Sequence, residues 1–243
     1  MQPTPLAAPS HGSASTASPK ARAALALRSV REKVGSQVTI EALKPGDAAR
    51  ASALLAETFI AAEPMTVALQ KNGVQGVREA MHAVAEEMVS AMMPDSFVLK
   101  DGNAVVGLCL NLPYPQPEEA PEEKSPLDPI FELLGALGAN RQQGSGLEVV
   151  MLATNTDASY KGKGIAKALV QQAIAKAHAE GADFVVTKAT NIGSQRVFAS
   201  AGFETKASQP YASFRAADGT LPFSKIPEAG TVGASLMRYD IKG

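Results

Sequence analysis

The 243-residue chain is long enough for one large domain or two small ones, and its hydrophobic share of 45% with 19% charged residues suits a folded core. A net charge of −1 excludes a general nucleic-acid binder, and no apolar run reaches the ~18 residues of a membrane-spanning helix. The single cysteine, Cys109, excludes an intrachain disulfide and cysteine-cluster metal sites, while His11, His82 and His178 form no ligand spacing, so no metal site is expected.

Residues 1–36 are rich in Ala, Ser and Pro and carry Lys20, Arg22, Arg28 and Arg31 with no acid before Glu32. Such a segment reads as a disordered tail on a cytoplasmic protein. A basic, Ser-rich, acid-poor start also describes an import segment for a plastid or mitochondrion. Residues 37–43 alternate and predict a strand. Pro45-Gly46-Asp47 opens a helix over 48–60, which should stop before Pro64. A second helix is expected over 76–93, with Val77, Met81, Val84, Ala85, Met88 and Met92 on one face as core. Residues 96–100 and 104–112 read as a hairpin turning at Asp101-Gly102, with Cys109 a buried filler of its second strand.

An insertion follows over 113–145. Its first part holds Glu118, Glu119, Glu122 and Glu123 among prolines and reads as a solvated loop; a short amphipathic helix follows at Ile130–Leu137. Then come a strand at 147–154, a glycine-rich loop, a helix at 165–179 ended by Gly181, a strand at 182–188 and a helix at 191–201. Two last strands are placed near 211–214 and 234–241. The sum is one α/β (α+β) domain over 37–243, a mixed central sheet of about seven strands with helices on both faces.

The loop Tyr160-Lys161-Gly162-Lys163-Gly164-Ile165-Ala166 sits at a strand-to-helix turn. Gly162 and Gly164 let backbone N–H groups point outward, and the helix that follows begins with unpaired donors and the positive end of its dipole. That arrangement takes anions, most often phosphate, and Lys161, Lys163 and Lys167 add charge. No P-loop spacing is present, and Lys167 stands where a dinucleotide fingerprint needs its third glycine.

Lys161-x-x-Gly164-x-Ala166 resembles the pyrophosphate loop of the GCN5-related N-acetyltransferases, which commonly have Arg or Gln where Lys161 stands. About 30 residues on, by the family spacing, Asn191-x-x-Ser194-x-x-x-Phe198-x-x-x-Gly202-Phe203 is similar to the helix in which an Asn or Ser contacts the coenzyme. The resemblance covers roughly residues 37–242. It implies acetyl-CoA as co-substrate, held by Lys161, Gly162, Lys163, Gly164, Ile165 and Ala166 with Asn191 and Ser194. It also implies that the fourth strand bulges and frees backbone groups of Thr154, Asn155 and Thr156 for the coenzyme's arm.

Phe59-x-x-x-Glu63-Pro64-Met65 looks like the Phe-x-x-x-Glu-Pro run of the insect-type arylalkylamine and dopamine N-acetyltransferases, whose tail aromatics have counterparts in Tyr211, Phe214 and Phe223. Glu63 and Ser194 are the candidate catalytic residues: the Glu of that run is the subgroup's proposed general base, and Ser194 is a coenzyme contact, a proton relay or simply the first-turn cap of its helix. Phe198 stands where many family members carry a tyrosine acid; Tyr160 and Tyr211 are the spare tyrosines. The reading is acetyl transfer to a small primary amine by direct attack, in a monomer or weak dimer. A protein acetyltransferase and a non-catalytic acyl-CoA-binding module are the alternatives.

Overall fold

The computed structural model describes residues 17–115, 124–139, 142–226 and 230–241. Residues 1–16 and the acidic run Glu118–Glu123 lie outside them, so those readings are not addressed by the structure. Seven strands form one sheet in the order β1-β2-β3-β4-β5-β7-β6. They are β1 (Val38–Ala42), β2 (Phe97–Asp101), β3 (Ala104–Tyr114), β4 (Gly146–Thr154), β5 (Phe184–Ala189), β6 (Glu204–Pro210) and β7 (Gly233–Asp240). Every neighbouring pair is antiparallel except β4 and β5, which run parallel.

Helices cover both faces. The core on one face is built from α2 (Ala48–Ala62), α3 (Pro64–Lys71), α4 (Val77–Ala91) and α5 (Asp128–Gly138). The other holds α1 (Pro19–Lys33), α6 (Ile165–Ala179) and α7 (Ile192–Ser200). The start of α6 rests tightly on β3. A Cβ added to Gly107 would stand 2.7 Å from Ile165 Cγ2 and 2.9 Å from Leu169 Cδ1, so only glycine admits this approach. Among the described residues no single helix is long and apolar enough to cross a membrane.

Three expectations need correction. The disordered tail does not extend through residues 19–33, which form α1. Ser18 caps it, Pro19 takes its first turn, and Val30 is wholly buried against α6. Arg22 donates to Tyr239 Oη at 2.5 Å, and Arg31 Nε donates to Val38 O at 2.7 Å. An alanine-rich stripe carries little apolar signal, so docking rather than composition stabilises the helix.

The helix from Ala48 stops at Ala62, before Pro64 as expected, and Pro64 then opens α3, which leaves the preceding helix at a bend of 62°. The sixth strand lies at Glu204–Pro210, a polar and mostly exposed edge; Tyr211–Ser213 is a 3-10 turn that sends Tyr211 and Phe214 into the core. The strand irregularity lies earlier than expected. Leu110 faces Met151 while Asn111 faces Val149, leaving Val150 as the extra residue of β4. Thr154 pairs with Gly107, and the Asn155 N–H donates to Val106 O at 2.9 Å.

Truncating Val30 to Ala should cost about 2 kcal/mol by lost burial and an unfilled cavity. Leu25, two-thirds exposed on the same helix, should change stability by less than ~0.5 kcal/mol when replaced by Ala. Denaturant midpoints at unchanged slope measure both.

Candidate active site

The β4–β5 pairing runs only from Gly146↔Phe184 to Val149↔Thr187. Beyond Val149 the two strands part, and residues 150–153 have no partner on the β5 side. The gap opens into a cavity of about 380 Å³. Its β4 wall runs from Glu148 to Leu152, its β5 wall from Thr187 to Thr190, and α2, α3, α4, α5 and α7 close the rest. Met81, Val84 and Met88 line it, so the methionine stripe serves both core and cavity.

Glu63 lies in this cavity and is only 5% exposed. The bend between α2 and α3 puts it there, because Glu63 is the N-cap of α3 and Pro64 its first residue. Oε2 accepts the Thr66 N–H at 2.7 Å and the Thr66 hydroxyl at 2.8 Å. Oε1 is buried without a hydrogen-bond partner. Burial in these apolar surroundings raises the Glu63 pKa. The two Thr66 donors oppose that rise, and the Met65 N–H and Thr190 hydroxyl, outside bonding geometry, oppose it further.

Asn191, Ser194 and Phe198 share the cavity. Asn191 Oδ1 accepts the Ser194 N–H at 2.7 Å, and Ser194 Oγ accepts the Asn191 N–H at 3.3 Å and donates to Asn191 O at 2.9 Å. This reciprocal cap commits the Ser194 proton to the start of α7. Phe198 packs edge-on against Phe203, with ring centroids 5.0 Å apart.

The glycine loop folds on itself beyond the end of β4. Asn155 Oδ1 accepts the Asp157 N–H, Asp157 O accepts the N–H groups of Tyr160 and Lys161, and Tyr160 O accepts that of Lys163. The N–H groups of Gly162, Gly164, Ile165, Ala166 and Lys167 donate to no acceptor among the described residues. Gly162 and Gly164 have φ of 73° and 91°, and a Cβ on Gly162 would meet nothing within 4 Å. Lys161, Lys163 and Lys167 form no ion pair among the described residues. Five outward donors, three cations and open space fit a diphosphate. Thr156 is exposed beside the loop, and Asn155 turns its side chain into it.

Neither spare tyrosine lines the cavity. Tyr160 Oη donates to Asp101 Oδ2 at 3.1 Å, and burial first, then that carboxylate, raises its pKa. Tyr211 Oη donates to Thr190 O. Cys109 is buried, with its pKa pushed up to about 12 by desolvation, as suits a filler. Sequence reasoning missed Thr66, Thr190 and the Glu148–Lys188 ion pair, 3.1 Å long inside the cavity. Thr66 was findable: Glu-Pro-x-Thr places a cap, a first-turn proline and the third-position N–H in order.

The sequence model of the acetyltransferase (GNAT) family matches residues 77–203, more than half of the chain. The chain belongs to the GNAT acetyltransferase family. By that membership it is an N-acetyltransferase. Arylalkylamine N-acetyltransferase 2 from Aedes aegypti shares the fold at a TM-score of 0.70 and 22% identity, over 84% of this chain and 99% of that one. A polyamine N-acetyltransferase from Drosophila melanogaster, which forms N-acetylagmatine, superposes at 0.65 with 16% identity, over 84% and 100%. The C-terminal condensation domain of Ebony, solved with beta-alanyl-dopamine, superposes at 0.71 with 19% identity, over 84% and 99%. At these identities the likeness establishes the fold, and the site must argue the substrate.

The raised pKa of Glu63 sets a pH dependence of stability. The folded state holds this proton to higher pH than the unfolded chain, whose value stays near 4.5. Stability from this group is therefore fullest below that value and falls as pH rises through the folded pKa. Glu63→Gln removes the slope, so the melting temperature of the variant minus that of the wild type should grow between about pH 4.5 and neutrality. Thermal scans across that range measure it.

Proposed function

We propose that this acetyltransferase moves the acetyl group of acetyl-CoA to a small primary amine with an apolar body, by direct attack in a ternary complex. The observation that carries the reading is the unpartnered Oε1 of buried Glu63, inside an apolar cavity where β4 and β5 part. Acetyl-CoA supplies the activated acyl thioester. The loop donors of Gly162, Gly164, Ile165 and Ala166, with Lys161 and Lys163, hold its diphosphate. Free backbone groups along 150–153 offer the edge to which its amide-bearing arm pairs.

The amine arrives as an ammonium with a pKa near 10.4. The Glu63 carboxylate attracts it and takes its proton, leaving the nitrogen lone pair free to attack. A pKa raised by burial makes Glu63 a stronger base than a surface carboxylate. Phe198 supplies no acid to the departing sulfur. A thiol's pKa near 8.5 lets it leave as thiolate without one. Met81, Val84, Met88, Phe59, Phe131 and Leu134 give the amine's body an apolar enclosure. Walls from five helices favour a small acceptor over a peptide, which calls for an open groove. The amine-acetylating names of the structural neighbours support the same class.

Two variants test the reading. Glu63→Gln should lower kcat by about 10²-fold or more while calorimetry finds acetyl-CoA binding unchanged; wild-type turnover would remove Glu63 from the mechanism. Gly164→Glu should abolish acetyl-CoA binding with the circular dichroism spectrum intact, since it puts bulk and negative charge where the anion sits. Products from a mixed amine pool with labelled acetyl-CoA, read by mass spectrometry, should be enriched in apolar amines.

A further inference from the structure

Thr66 is wholly buried at the third position of α3. Its backbone N–H already completes the cap on Glu63 Oε2. Its hydroxyl adds a second donor to that same oxygen, while Oε1, equally buried, has none. A helical threonine ordinarily turns its hydroxyl back to a carbonyl of the preceding turn; here it turns to the carboxylate. We propose that Thr66 is a positioning residue for acetyl transfer: by holding Oε2 with two donors it presents Oε1 as the atom that receives the amine's proton. The proposal rests on Glu63 acting as the base.

The surroundings leave Thr66 this work. The other charged groups lining the cavity, Glu148 from β4 and Lys188 from β5, are paired with each other. The lining residues of α4 and α5 are uncharged, and α7 contributes Asn191, Ser194 and Phe198. No unpaired cation among the described lining residues faces Glu63, so hydroxyl and amide dipoles are what oppose the rise that burial causes. One proton leaves the ammonium nitrogen, bonds to Oε1 and returns to water after the amide product departs; the second, shed by the nitrogen as the tetrahedral adduct collapses and the C–S bond breaks, goes to the departing coenzyme thiolate. The N–O distance and the carboxylate plane are fixed because Oε2 cannot rotate away without losing both donors.

The test is the pH profile of kcat/KM for Thr66→Val and Thr66→Ser beside wild type. Valine keeps the shape and the backbone cap but removes the hydroxyl. Its acid limb should move up by about one pH unit, which is roughly a tenfold loss on that limb, with acetyl-CoA KM unchanged. Serine should restore the wild-type profile. A valine profile that coincides with wild type overturns the proposal, even if its melting temperature falls, and so does a serine profile displaced like that of valine. If Thr66→Val does not fold, Thr66→Cys, a weaker donor, makes the same comparison. Full activity in Glu63→Gln sinks the base assignment instead, which separates the two failures.

Discussion

The early end of the β4–β5 ladder is the constraint on which the site depends. Parallel strands need every backbone group paired or solvated. Here four registered pairs hold the strands, and then Val150, the extra residue of β4, turns the chain away. Unpaired backbone and an opening follow from that single parting. The glycine loop follows the end of β4, and the first turn of α6 lies on β3; neither contributes a residue to the cavity. The cavity and the free strand edge are therefore consequences of one irregularity rather than separate inventions.

Glu63 shows how a carboxylate is kept in an unfavourable place. A carboxylate nearly enclosed by apolar side chains is costly to ionise. The chain offsets part of that cost by making the same carboxylate the cap of α3, where it accepts two donors from Thr66. Pro64 contributes twice: it starts α3 and forces the bend that turns Glu63 inward. The burial that raises the Glu63 pKa also costs stability near neutrality, a pattern expected at functional sites.

Helix α1 lies outside the matched family region yet covers α6 with a fully buried valine and crosses to β1 and β7 through two arginines. Composition pointed the other way, because alanine, serine and proline dominate residues 1–36. The helix exists because a partner surface exists. Its neighbour in consequence is the loop itself: a Cβ on Gly164 would stand 3.9 Å from Val30 Cγ2. The glycine turn thus has a neighbour from outside the region that the family model matches.

Much was legible in the residues alone. Alternation placed β1 and the β2–β3 hairpin, glycine placed both ends of α6, and Glu63, Asn191, Ser194 and Phe198, named from two motifs far apart in sequence, line one cavity. Local rules suffice there because each rests on neighbours a few residues away: caps, turns, and the period of the apolar face. Tertiary structure alone decided the rest. Where β4 leaves β5, how deeply Glu63 is buried, and that α1 folds at all are set by contacts between segments distant in the chain. No periodicity encodes such contacts, since each depends on the shape of a surface that exists only once the other segments have packed.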